Sequence, residues 1–225
     1  FIQRVAYSLF LNTGTKNGSS ILFGAVDKSQ FIGKLSTVPI VRNSSLTLVN
    51  KTKVDNFVIT LQGVGFVDDM GNATTFNTQM LPALVDTSIS EVILPKVITD
   101  AIAKELKATY SNKTRKYELR CPSKETQEKS TFVFNIGRTN FFTRYSDFIT
   151  SGNDSKNCTL DINYNKENST ILGDAFLKSL YVLFDLESYE MSFGQAKLDS
   201  GPSSITTIPA MGKNFTEATK AKKYS

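Results

Sequence analysis

Asp86 closes the run Pro82-Ala83-Leu84-Val85-Asp86-Thr87-Ser88, a carboxylate at the end of an apolar strand followed at once by small hydroxyl residues. An ionised Asp in such a place is costly unless it is hydrogen-bonded or put to use, and a carboxylate held there can take or give a proton. Spacing alone leaves two readings open, because an Asp at a strand end is also a common turn or cap residue. A second Asp heads a similar tripeptide, Asp199-Ser200-Gly201, but it follows Lys197 and precedes Pro202 in a polar stretch with no apolar strand leading in. That one reads as a turn.

Histidine is absent from the 225 residues. A Ser-His-Asp triad, a Cys-His dyad and a His-ligated zinc site are therefore excluded within this chain. Hydrolytic chemistry, if present, rests on carboxylates, hydroxyls, Lys or an oxygen-bound metal. The two cysteines, Cys121 and Cys158, both sit among polar neighbours. In an oxidising compartment they would pair and close a long loop, stabilising by roughly 3 to 4 kcal/mol on the chain-entropy model; two free thiols are the alternative.

Nine asparagines begin Asn-x-Ser/Thr: Asn17, Asn43, Asn50, Asn72, Asn112, Asn153, Asn157, Asn168 and Asn214. Chance would give about three or four among the sixteen asparagines present, so the excess points to a glycosylated, secreted chain. The formal net charge is +5, from 26 Lys+Arg against 21 Asp+Glu, but the basic residues are scattered apart from Lys220, Lys222 and Lys223. They read as a solvated surface, and no nucleic-acid partner is expected. No apolar run is long enough to span a membrane, and the first residues, Phe1-Ile2-Gln3-Arg4, are neither an initiating Met nor a signal peptide, which leads us to expect a trimmed chain.

The elements that must position Asp86 are mostly strands. Tyr7 to Leu11, Ile21 to Val26, Leu35 to Val41, Phe57 to Leu61, Phe132 to Ile136, Tyr181 to Asp185 and Glu190 to Phe193 are rich in β-branched and aromatic residues. Turn clusters punctuate them at Gly14 to Gly18, Asp68 to Asn72 and Ser151 to Asp154. From Pro95 the apolar residues Val97, Ile98, Ala101, Ile102 and Leu106 recur at helical spacing, and a shorter helix is expected over Asp174 to Ser179. The fold class is mainly β with a few short helices. The expected division is 1–20 as a connecting strand, 21–199 as one lobe, and 200–225 as a Ser/Thr/Lys-rich tail docked in part through Ile205, Ile208 and Pro209.

Several segments, in order, resemble the pepsin-type aspartic proteases. Val85-Asp86-Thr87-Ser88 followed by Ile93-Leu94-Pro95 is similar to the second apolar-Asp-Thr/Ser-Gly-Thr/Ser motif and its Leu-Pro helix start. Ser169-Thr170-Ile171-Leu172-Gly173-Asp174 looks like the family's apolar-apolar-Gly element behind the catalytic loop, and Leu180 to Glu187 resembles the strand and turn after it. Ala6 to Asn12, Ile21 to Asp27, Phe31-Ile32-Gly33 and Val38-Pro39-Ile40 are similar to the segment that joins the two lobes. The Cys121 and Cys158 spacing fits the family's C-lobe disulfide, and Ser203 to Pro209 suggests the fungal yapsin and candidapepsin kind.

The resemblance implies the C-terminal lobe of a bilobal acid protease fold. Asp86 would be the second of two carboxylates that share one proton because both cannot ionise cheaply at close range. One activates a water for attack on a peptide carbonyl and the other hydrogen-bonds the developing oxyanion and the leaving group, with no cofactor and no metal. The first carboxylate would come from an N-terminal lobe of the same protein, acting with this chain on a peptide substrate. The family also implies a secreted or cell-surface location, cleavage beside Lys or Arg, and a glycolipid membrane anchor.

Two positions depart from the motif. Ser88 stands where the family has Gly, and Ile89 where it has a hydroxyl that hydrogen-bonds the carboxylate; Thr87 is retained and Ser90 follows. A Cβ at 88 can crowd the carboxylate, and a lost hydroxyl withdraws support from its ionised form, unless Ser88 or Ser90 replaces the donor. The alternative is therefore a degenerate homologue that binds peptides or wall components without cutting them. A glycan-binding β-sandwich is a distant third, since it would leave the order of matched segments as coincidence.

Overall fold

The computed structural model describes residues 2–11, 18–41, 56–152, 156–199 and 201–221. It is mainly β, with two large sheets packed on a common core. Among the described residues no helix is long and apolar enough to cross a membrane.

The sheet that carries Asp86 runs in the order Thr139–Arg144, Thr131–Ile136, Val58–Val67, Leu81–Val85, Thr170–Leu172, Val92–Ile93 and Ile162–Asn163, with Ala73–Asn77 also paired to Val58–Val67. Alternation sets its faces: Phe132, Phe134 and Ile136 point into the core while the residues between them are half-exposed. Phe66, Phe132, Phe148 and Tyr145 pack there as tilted and edge-on rings.

A second sheet is ordered Ser20–Phe23, Ala6–Phe10, Leu180–Asp185, Glu190–Ala196, Phe31–Pro39 and Ala218–Lys220. Leu180–Asp185 is buried along its whole length, because each face meets a different cluster. Leu180, Val182 and Phe184 join the main core, while Tyr181 and Leu183 join a smaller one with Phe10, Val26, Phe31, Leu35 and Ile208. Its unbroken apolar run thus marks a strand covered on both sides.

Sequence and structure part in several places. The run Ile21 to Val26 is two strands, Ser20–Phe23 and Ala25–Asp27, because Gly24 takes φ +65° between them, a conformation other residues rarely adopt. A helix at Lys124–Lys129, unread in the sequence, carries no apolar residue and buries none, so no periodic stripe marks it; Ser123 Oγ caps it by accepting from the Thr126 N–H at 3.1 Å. Residues 201–221 dock further than the three apolar residues there suggest. Ile205–Thr207 pairs with Ala25–Asp27, Ile208 is buried, and Ala218–Lys220 adds a parallel strand to Phe31–Pro39.

The Lys96–Glu105 helix follows Pro95 and buries Ile98, Thr99, Ile102 and Ala103. Its N-terminus is capped from afar: the Lys96 N–H donates to Asn168 Oδ1 at 2.9 Å. The expected helix from Asp174 shortens to one turn, Asp174–Leu177. Cys121 and Cys158 form a disulfide.

Candidate active site

Strand order dictates the loop that holds Asp86. Leu81–Val85 and Val92–Ile93 are consecutive in the chain, yet Thr170–Leu172 lies between them, parallel to the first and antiparallel to the second. Residues 86–91 must therefore cross the end of the Thr170–Leu172 strand. Three backbone bonds fasten the crossing: Asp86 N–H to the Leu172 carbonyl at 3.1 Å, Asp174 N–H to Ile89 at 2.8 Å, and Ala175 N–H to Ser90 at 3.0 Å. A Cβ on Gly173 would overlap the carbonyl oxygens of Ile89 and Glu91, so this close approach requires glycine.

Leu172 is buried and Ile171 half-buried, so Ile171-Leu172-Gly173 supports the loop from beneath. Asp86 itself is half-exposed, with Thr87, Ser88 and Ser90 exposed around it and the Ile89 side chain half-buried. The Asp86 carboxylate is not left to water alone. Its Oδ1 accepts from the Ser88 N–H at 2.9 Å and from Ser88 Oγ–H at 2.7 Å. Among the described residues neither Thr87 nor Ser90 donates to it.

Asp174 belongs to this site as well, although the sequence reading stopped at Gly173. Burial pushes its carboxyl above the usual carboxylate range; the Lys178 ammonium opposes that, and the charge of Asp86 adds to it. Its position directly after the loop-supporting glycine is the signal that could have marked it.

The arrangement is a carboxylate on a rigid backbone loop at a strand end, open on one side and braced by donors on the other. Among the described residues no second carboxylate is hydrogen-bonded to Asp86. A protein-family model for eukaryotic aspartyl proteases matches residues 1–196. The chain belongs to the eukaryotic aspartyl protease family.

Fungal proteases are among the proteins it resembles. It is 39% identical over 214 residues to aspartic proteinase yapsin-3 of Saccharomyces cerevisiae, covering 92% of this chain and 40% of that protein. Aspartic proteinase 3 of the same yeast is 35% identical over 225 residues, covering 100% and 38%. Barrierpepsin is 36% identical over 197 residues, covering 87% and 32%. The chain therefore spans two-fifths or less of the length of these proteases, and its mainly β fold is a pepsin-like lobe. The docked residues 201–221 lie beyond the family match.

Of the nine sequons, Asn72, Asn112, Asn157, Asn168 and Asn214 are exposed. Asn17, Asn43, Asn50 and Asn153 lie outside the described residues.

Proposed function

We propose that this chain is the C-terminal lobe of an aspartic endopeptidase and that Asp86 is one of its two catalytic carboxylates. The observation that carries the reading is the braced, half-exposed Asp86 on a backbone-fastened loop, in a chain of the aspartyl protease family.

In this reading Asp86 faces a second carboxylate from an N-terminal lobe, and the two hold one proton between them. The donors on Oδ1 keep the carboxylate in one rotamer, while Oδ2 is left to the shared proton and the attacking water. Water adds to the peptide carbonyl as one carboxyl takes its proton; the other hydrogen-bonds the oxyanion and then protonates the departing amine. The chain's own part is to hold Asp86 still and to keep a proton at hand.

A lobe partner is supported by the Ser20–Phe23 strand, which ends its sheet with one edge unpaired among the described residues and shows Ile21 and Phe23 to solvent, 56% and 68% exposed. Secretion or cell-surface residence is supported by the Cys121–Cys158 disulfide and the exposed sequons.

A second reading, a degenerate homologue that binds peptides or wall components without cutting, is favoured by one observation: Ser88 and Ile89 replace the Gly and hydroxyl of the family motif. Incubating the full-length glycoprotein with a peptide library between about pH 3 and 6 separates the two. Cleavage that pepstatin abolishes supports the endopeptidase; peptide binding without cleavage supports the second reading.

A further inference from the structure

We propose that Ser88 is a positioning residue for Asp86, supplying from the place of the family's glycine the hydroxyl hydrogen bond that Ile89 has lost. The inference rests on the reading of Asp86 as a catalytic carboxylate and deepens it. The two departures from the motif then become one exchange: the donor has moved by a single residue.

Two bonds from one residue converge on one oxygen. The Ser88 N–H reaches Asp86 Oδ1 at 2.9 Å and the Ser88 hydroxyl reaches the same atom at 2.7 Å. Hydrogen bonds to an ionised carboxylate are among the stronger ones in proteins, and two on Oδ1 fix the side-chain torsion. Among the described residues no donor reaches Oδ2, which leaves that oxygen for the reaction.

The backbone explains why a serine can do this. Asp86, Ile89 and Ser90 are each tied to the 172–175 segment, so the loop cannot drift and residue 88 keeps its distance to Asp86. Ser88 is exposed, so its Cβ displaces nothing in the core. Ile89 is half-buried and contributes its carbonyl to Asp174, a task for which the side chain is indifferent. Two charged groups lie nearby: Asp174, which feels the charge of Asp86, and Lys178, which acts on Asp174. Neither is bonded to Oδ1.

The test uses the full-length protein and five forms of it: the parent, Ser88→Ala, Ser88→Thr, Ser88→Gly and Ser88→Gly with Ile89→Thr. Ser88→Ala and Ser88→Gly keep the backbone N–H and lose the hydroxyl. Each should lower kcat about tenfold with KM and melting temperature unchanged. Ser88→Thr should keep parental kcat, and Ile89→Thr should restore the activity that Ser88→Gly removes. A Ser88→Gly variant as active as the parent, or a Ser88→Thr variant as impaired as Ser88→Ala, overturns the role of Ser88 while the reading of Asp86 stands. A folded parent that cleaves no peptide overturns both.

Discussion

The carbonyl oxygen of Ile89 rests against the Cα of Gly173, where any side-chain carbon would collide with it, and the next residue, Asp174, donates its N–H to that same oxygen at 2.8 Å. The loop carrying Asp86 and the strand behind it are thus in backbone contact, with no side chain between them.

Gly173→Ala should therefore be severe. The atoms in the way are the Ile89 and Glu91 carbonyls, which belong to the backbone and cannot swing aside. Overpacking of this kind costs about 1–3 kcal/mol, and here we expect the upper end, with Asp86 pushed off its position. Urea denaturation reads the first effect. A melting curve like that of the parent would contradict it.

The disulfide joins residues 37 apart in sequence. Closing a loop of that size stabilises by about 3 to 4 kcal/mol on the chain-entropy model. Replacing both cysteines with Ser should lower the urea midpoint accordingly, and adding reductant to the parent should give the same curve.

Asp27 links pH to the docking of residues 201–221. It is buried, and burial alone would raise its carboxyl; the donors Ser203 Oγ, Ser204 N–H and both groups of Ser29 outweigh that and hold it below the usual value of 3.8. A depressed carboxyl stabilises fully above the unfolded value and loses its contribution as pH falls through the folded one. Asp174 has the opposite sign: its raised carboxyl stabilises below 3.8 and loses that contribution as pH rises through the folded value. The stability gap between the parent and Asp27→Asn should thus be widest above pH 3.8 and close on acidification. A gap that stays constant with pH would show that Asp27 does not secure the segment through its charge.

Much of the scaffold could be read before the structure, and the reason is periodicity. Phe132, Phe134 and Ile136 alternate as a half-buried strand must, and Ile98 and Ile102 recur as a buried helix face must. What escaped was whatever lacks a stripe: the all-polar Lys124–Lys129 helix, and Ala218–Lys220, which is held by its backbone to Phe31–Pro39. The crossing over Thr170–Leu172 was invisible for another reason, since parallel pairing joins segments far apart in the chain and leaves no local mark. At the site, the motif around Asp86 singled out the loop, but which of Ser88 and Ser90 donates depends on side-chain torsions that spacing does not encode. Asp174 was passed over because its relation to Asp86 is one of distance through space.

The decisive measurement is the steady-state kinetics of Asp86→Asn in the full-length protein, on a peptide that the parent cleaves and pepstatin protects. The amide keeps the size of the carboxyl and can still accept from Ser88, so the fold and KM should persist while kcat falls at least about a hundredfold. If the Asp86→Asn protein cleaves that peptide at the parent's rate, the proton is handled elsewhere and Asp86 has no part in the chemistry.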